Sequence, residues 1–183
     1  HVGKLGGTQR QDQTSRIHRW PNEARSHLFA TLSYAAFNPN LWKHRIPKLN
    51  TQGLIDAFEK NLVPGGRTIE ATMNRHATAH ALHFKKTAYN WLSFTHEEAP
   101  CFDAKGKRVP QNEYGQINFQ SADDRDMAFL LLNGKIQLAF WIAIGDDFHV
   151  TKGNFADLPL VPGQLTPEVQ TRLKAIVPEL SAA

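Results

Sequence analysis

A chain of 183 residues, 41% of them hydrophobic, is long enough to bury a core and fits a single domain, which excludes wholesale disorder. The net charge of +4 is unevenly placed: residues 1–108 carry 16 Lys/Arg against 8 Asp/Glu, and residues 109–183 carry 5 against 9. The single cysteine, Cys101, excludes an intrachain disulfide and a multi-cysteine zinc site.

Residues 1–19 are polar and glycine-rich, without the apolar core of a secretory signal, and read as an extended lead-in. His1 in first place suggests a piece of a longer polypeptide. Pro21 can open a helix over residues 21–36, where Leu28, Phe29, Leu32 and Ala36 recur as one buried stripe. Asn38-Pro39-Asn40 ends it, and Pro47 confines residues 41–49 to an edge strand or loop. Thr51 is a candidate N-cap for a second helix, residues 51–62, with Leu54, Ile55, Phe58 and Leu62 on one side.

Pro64-Gly65-Gly66 breaks the pattern, and residues 80–120 then read as antiparallel or mixed strands, with a hairpin or long loop at 99–115. Ser121, followed by Asp123 and Asp124, is a helix start: a capping oxygen, then acids at the positive end of the dipole. The helical stretch 122–144 is hinged at Asn133-Gly134, too interrupted for a membrane span of about 20 residues. Gly145-Asp146-Asp147 stops it, residues 148–160 read as strand plus loop, and Thr166-Pro167 opens a last helix, 166–177. The expectation is one α+β domain over 1–183, strands in the middle and helices around them, in a cytoplasmic protein.

Several chemistries lack their signatures. There is no glycine-rich phosphate cradle and no nucleophile elbow. Asp123, Asp124 and Asp126 are explained by the helix dipole without a cation. His76, His80 and His83 would share a helical face as a zinc triad, but on a strand their spacing splits them. Glu97, Glu98, Asp103 and Lys105 form only a weak nuclease-like cluster.

Ordered motifs carry a resemblance. Asn90 to Phe94, Ala99-Pro100-Cys101-Phe102 and Ile117-Asn118-Phe119 precede Leu130-Leu131-Leu132-Asn133 and Phe140-Trp141. Gly145-Asp146-Asp147-Phe148-His149-Val150-Thr151 and Phe155-x-x-Leu158-Pro159-Leu160 follow. Over residues 16–160 this order resembles the C-terminal target-recognition region of N6-adenine DNA methyltransferases, especially the fused type IIG restriction–modification enzymes. The chain departs from that pattern at Ala99, Gly134 and Asp147, where proline, serine and glycine are usual. The family's catalytic N-P-P-Y and its S-adenosylmethionine-binding glycines do not occur.

The resemblance implies a sequence-specific DNA-recognition domain of a restriction–modification polypeptide, non-catalytic by itself. Its partners would be double-stranded DNA and the catalytic methyltransferase domain of the same chain. No cofactor is expected in this piece; S-adenosylmethionine would belong to the parent enzyme. Phosphate contacts supply affinity and side chains in the groove read bases. On that division Asn74, Arg75 and His76 are candidate base readers, and Lys85, Lys86, Thr151 and Lys152 candidate phosphate contacts. His149 and Asn154 complete the loop that would carry the last two; alternatively His149 and Thr151 only tie that loop together. Further candidate cations are Arg16, Arg19, Lys43, Arg45, Lys48 and Arg67. Trp91, Phe94, Phe129, Phe140 and Trp141 are expected in the core, Trp20 and Trp42 beside DNA or an interface. Two other readings remain: a protein-interaction or assembly module of a bacterial defence complex, and, more weakly, a metal hydrolase using the histidines.

Overall fold

The computed structural model describes residues 12–18, 20–43, 45–62, 68–88, 90–110, 112–158 and 166–181. The lead-in before Asp12, Arg19, the Pro64-Gly65-Gly66 break, Arg67, Tyr89 and the Pro159-Leu160 end of the last motif lie outside them. The protein is α+β, with small antiparallel sheets and helices, and it packs as two compact units, residues 1–66 and 67–183.

In the first unit β1 (Asp12–Thr14) pairs antiparallel with β2 (Ala35–Phe37). Part of the expected lead-in is therefore a strand. Between these strands the chain forms a 3-10 turn (Asn22–His27) and one turn of helix, α1 (Leu28–Thr31). This corrects the expectation of a helix to residue 36 with a buried stripe. No residue of either segment is buried, and Ala36 belongs to β2. A short helix without packing cannot recover its nucleation cost, so strand pairing takes the segment from Ala35 onward.

The unit's core forms around α2 (Gln52–Glu59), which buries Ile55 and Phe58. Thr51 stands at its N-cap position, but its side chain makes no capping bond. Trp42 is only 1% exposed, packs edge-on against Phe58 at 5.8 Å and donates from Nε1 to Glu59 Oε1. Trp42 is thus a core residue and not the expected surface contact. Gln52 grips β2 with its amide, accepting from Ala36 N–H and donating to Ala36 C=O. It satisfies backbone groups that an edge strand would otherwise leave open.

The second unit is built on a four-stranded antiparallel sheet of order β3-β8-β4-β5. Its strands are β3 (Met73–Asn74), β4 (Ala81–Lys85), β5 (Phe94–Thr95) and β8 (Tyr114–Phe119). The expected hairpin is there as β6 (Cys101–Phe102) with β7 (Arg108–Val109), turned at Gly106 with Asp103 Oδ1 accepting from Lys105 and Lys107 N–H. Leu82, Phe84, Phe94, Ile117, Phe119 and Met73 bury one face of the sheet. On that face Phe155 meets Phe84 at 5.1 Å and Phe94 at 5.3 Å, both edge to face.

Helices α3 (Ala122–Leu132) and α4 (Lys135–Ile144) bend by 71° at Asn133-Gly134, and α3 packs on the sheet. Ser121 caps α3 as expected, its Oγ accepting from Asp124 N–H. Among the described residues no single helix is long and apolar enough to cross a membrane. Asn133 repeats the device of Gln52: its amide accepts from Phe94 N–H and donates to Phe94 C=O, holding β5 to the helix break. Residues 148–160, expected as strand plus loop, contain a short helix, α5 (Gly153–Ala156), after one bridge between His149 and Thr87. The terminal helix, α6 (Pro167–Ser181), contacts α3 and adds an ion pair, Lys174 to Asp123.

Phe94, Phe129, Phe140 and Trp141 are buried as expected, but Trp91 is 69% exposed. It lies in the connection between β4 and β5, where no strand alternation assigns it to the core face.

Candidate nucleic-acid interface

Strand alternation gives the sheet a second face. Directly paired residues point the same way, so Asn74 lies beside Asn118, and His83 stands between Gln116 and Thr95. Lys85 pairs with Tyr114. All are half-buried or exposed, and none of the described residues on this face is a carboxylate. Gln116 Nε2 donates to Asn118 Oδ1 at 2.7 Å, which orients both amides along β8. The face therefore displays three amides, an imidazole, a phenol, a hydroxyl and an ammonium on one rigid plane.

The structure separates the expected base readers from the expected phosphate contacts. Asn74 pairs with Asn118, which on its other side pairs with Ala81, the far end of β4 from Lys85. At about 3.3 Å per residue, roughly 13 Å of strand lies between these ends. Asn74 is partly occupied, its Oδ1 accepting from His76 N–H in a local turn, while Arg75 and His76 are exposed beyond the strand. His76, His80 and His83 sit in a turn, before a strand and on a strand, so they share no helical face. No group of three or more metal-ligating side chains occurs among the described residues.

At the other end the Lys85-Lys86 pair and the 149–154 loop come together. Lys86 C=O accepts from Val150 N–H at 2.7 Å, and Ala88 N–H donates to Phe148 C=O at 2.8 Å. This pairing brings Val150, at the start of the loop, beside Lys86. Lys86 is exposed, and its Nζ donates to Asn112 C=O.

The remaining loop residues work mainly inside the loop. Asn154 Oδ1 accepts from both Thr151 N–H and Thr151 Oγ1, and buried Gln137 reaches Asn154 C=O from α4. Asp146 Oδ2 lies 2.6 Å from His149 Nδ1, and its Oδ1 accepts from Phe148 and His149 N–H. The side-chain bond to His149 is the largest cause holding the Asp146 carboxyl down at about 2. Trp141 Nε1 donates to His149 C=O and ties the loop to α4. Of the four candidates in this loop, Lys152 is the one whose side chain has no part in this internal framework.

Asp147, which stands where the resembled family has glycine, adopts φ 69°, the left-handed conformation that glycine occupies without strain. Asp147→Gly is expected to be more stable than Asp147→Ala by about 1–2 kcal/mol, since both lose the carboxylate and only the alanine keeps the Cβ penalty. Urea unfolding of the two variants decides it; equal stability would show that the loop relaxes out of this conformation.

Gln116, Asn118, Thr95 and Tyr114 are not among the DNA contacts expected from the sequence, and His83 is expected only as one of three histidines. The available signal was the alternation Tyr114, Gln116, Asn118 against Gly115, Ile117, Phe119, which marks one polar face. Comparison of the chain with protein-family models, with curated proteins and with solved structures finds no match.

Proposed function

We propose that this chain is a sequence-specific recognition module for double-stranded DNA, non-catalytic by itself, from an adenine-N6 methyltransferase or restriction–modification polypeptide. In this reading it acts in the cytoplasm beside a catalytic domain that binds S-adenosylmethionine and flips the target adenine. The observation that carries the reading is the polar face of β4 and β8, where the described residues include Lys85 and no carboxylate. Sheet faces can present strands to a DNA groove, where Asn and Gln amides pair with adenine edges and lysines meet guanine or phosphate. Asn74, Arg75 and His76 would contact the duplex at the opposite end of the sheet.

The test is selection from a random duplex library, followed by titration of an enriched duplex at several salt concentrations. Lys85→Ala and Lys86→Ala should each lower the log–log salt slope by about 1. Gln116→Ala with Asn118→Ala should lower discrimination between enriched and scrambled duplexes by about 1–3 kcal/mol while leaving the slope unchanged. Failure to enrich any duplex at low salt would overturn the reading.

A further inference from the structure

We propose that the first unit holds a separate site for unpaired nucleotides, in a groove of about 600 Å³ between the β1 end and the α1 turn. Trp20 and Phe29 line it and are 45% and 69% exposed, and Arg16, Arg25 and Lys48 line it with them. No carboxylate is among its described lining residues. The groove exists because the apolar stripe of residues 28–32 is not buried in a core: Leu28, Phe29 and Leu32 all face it.

Charge complementarity selects the occupant. Residues 1–66 carry 9 Lys/Arg against 4 Asp/Glu, whereas residues 67–183 carry 12 against 13, so the protein's net positive charge belongs to this unit. This charge favours a polyanion, and the exposed Trp20 and Phe29 side chains choose among polyanions. Alternating bases and phosphates can stack on aromatic rings while their charges meet guanidinium and ammonium groups, without preference for base identity. A duplex keeps its bases stacked inside and offers these rings only its backbone. The site therefore suits a single strand or an extruded stretch. It does not depend on the duplex-reading face of the other unit.

The full chain is titrated with a fluorescent oligothymidylate of about ten nucleotides, long enough to span one such site. Binding at low salt is expected, with Arg16→Gln and Arg25→Gln each lowering the salt slope by about 0.7, the value for single strands. Trp20→Leu with Phe29→Leu should weaken binding at least tenfold, since both rings on which bases would stack are lost. Lys85→Ala with Lys86→Ala should leave oligothymidylate affinity unchanged, which separates this site from the proposed duplex face. Thermal melts confirm that the variants fold; should the double aromatic variant unfold, the two arginine slopes carry the test. The proposal is overturned if no oligonucleotide binds at low salt or if slopes and affinity survive these substitutions. It is also overturned if polyglutamate of equal charge displaces the strand as well as unlabelled oligothymidylate does, because the groove would then be a site for acidic protein.

Discussion

Phe155→Ala is expected to cost about 3–5 kcal/mol. Phe155 is fully buried and is the ring against which Phe84 of β4 and Phe94 of β5 both pack edge to face. Removing it opens a cavity between two strands and a helix, α5, only four residues long. A helix that short has no independent stability, so its position rests on Phe155, Ala156 and Leu158, all buried. The loop from Asp146 to Lys152 should loosen as the core weakens, and the Val150 to Lys86 backbone bond should weaken with it. Urea unfolding should show a lower midpoint at unchanged slope. Phe155→Leu, which keeps most of the volume, should cost much less. A loss below about 1 kcal/mol for the alanine variant would show that the aromatic cluster does not anchor α5.

Gly115→Ala is expected to be nearly as damaging, at about 1–3 kcal/mol, although it adds only a methyl group. Gly115 sits in β8 opposite Phe84, on the buried face, and the Phe84 ring occupies the space of the missing side chain. A Cβ at Gly115 would lie 2.4 Å from Phe84 Cζ. The ring cannot swing away freely, since Phe94 and Phe155 hold it at 6.0 and 5.1 Å. The double variant Gly115→Ala with Phe84→Leu should be less destabilised than the two single losses added together, by about 0.5–3 kcal/mol of coupling. Additive losses in that cycle would place the cost of Gly115→Ala in the backbone rather than in the ring contact.

Phe155 belongs to one of the motifs of the sequence, and the others are motifs of support as well. Asn133, at the end of Leu130-Leu131-Leu132-Asn133, clamps the backbone of Phe94. Gly145 lies so close to Trp141 that a Cβ would stand 2.7 Å from its carbonyl oxygen. Asp146 folds the Phe148-His149 turn, and Trp141 fastens it. Such residues stand out in a sequence because their geometry admits few substitutes. A reading surface needs only side chains of suitable chemistry on one plane, and it leaves no compact local pattern.

Local chemistry by itself determined the α2 helix, the Ser121 start of α3, the break at Asn133-Gly134, the turn at Gly106 and the α+β class, because each depends on neighbours a few residues apart. Tertiary structure alone decided that Ala36 joins a strand, that Trp42 is buried while Trp91 is exposed, and that the apolar stripe of residues 28–32 lines a groove. It also decided that Val150 meets Lys86 while Asn74 stands at the other end of the sheet. Those outcomes depend on pairing between segments tens of residues apart, where the free energy lies in closing a loop and burying a particular face.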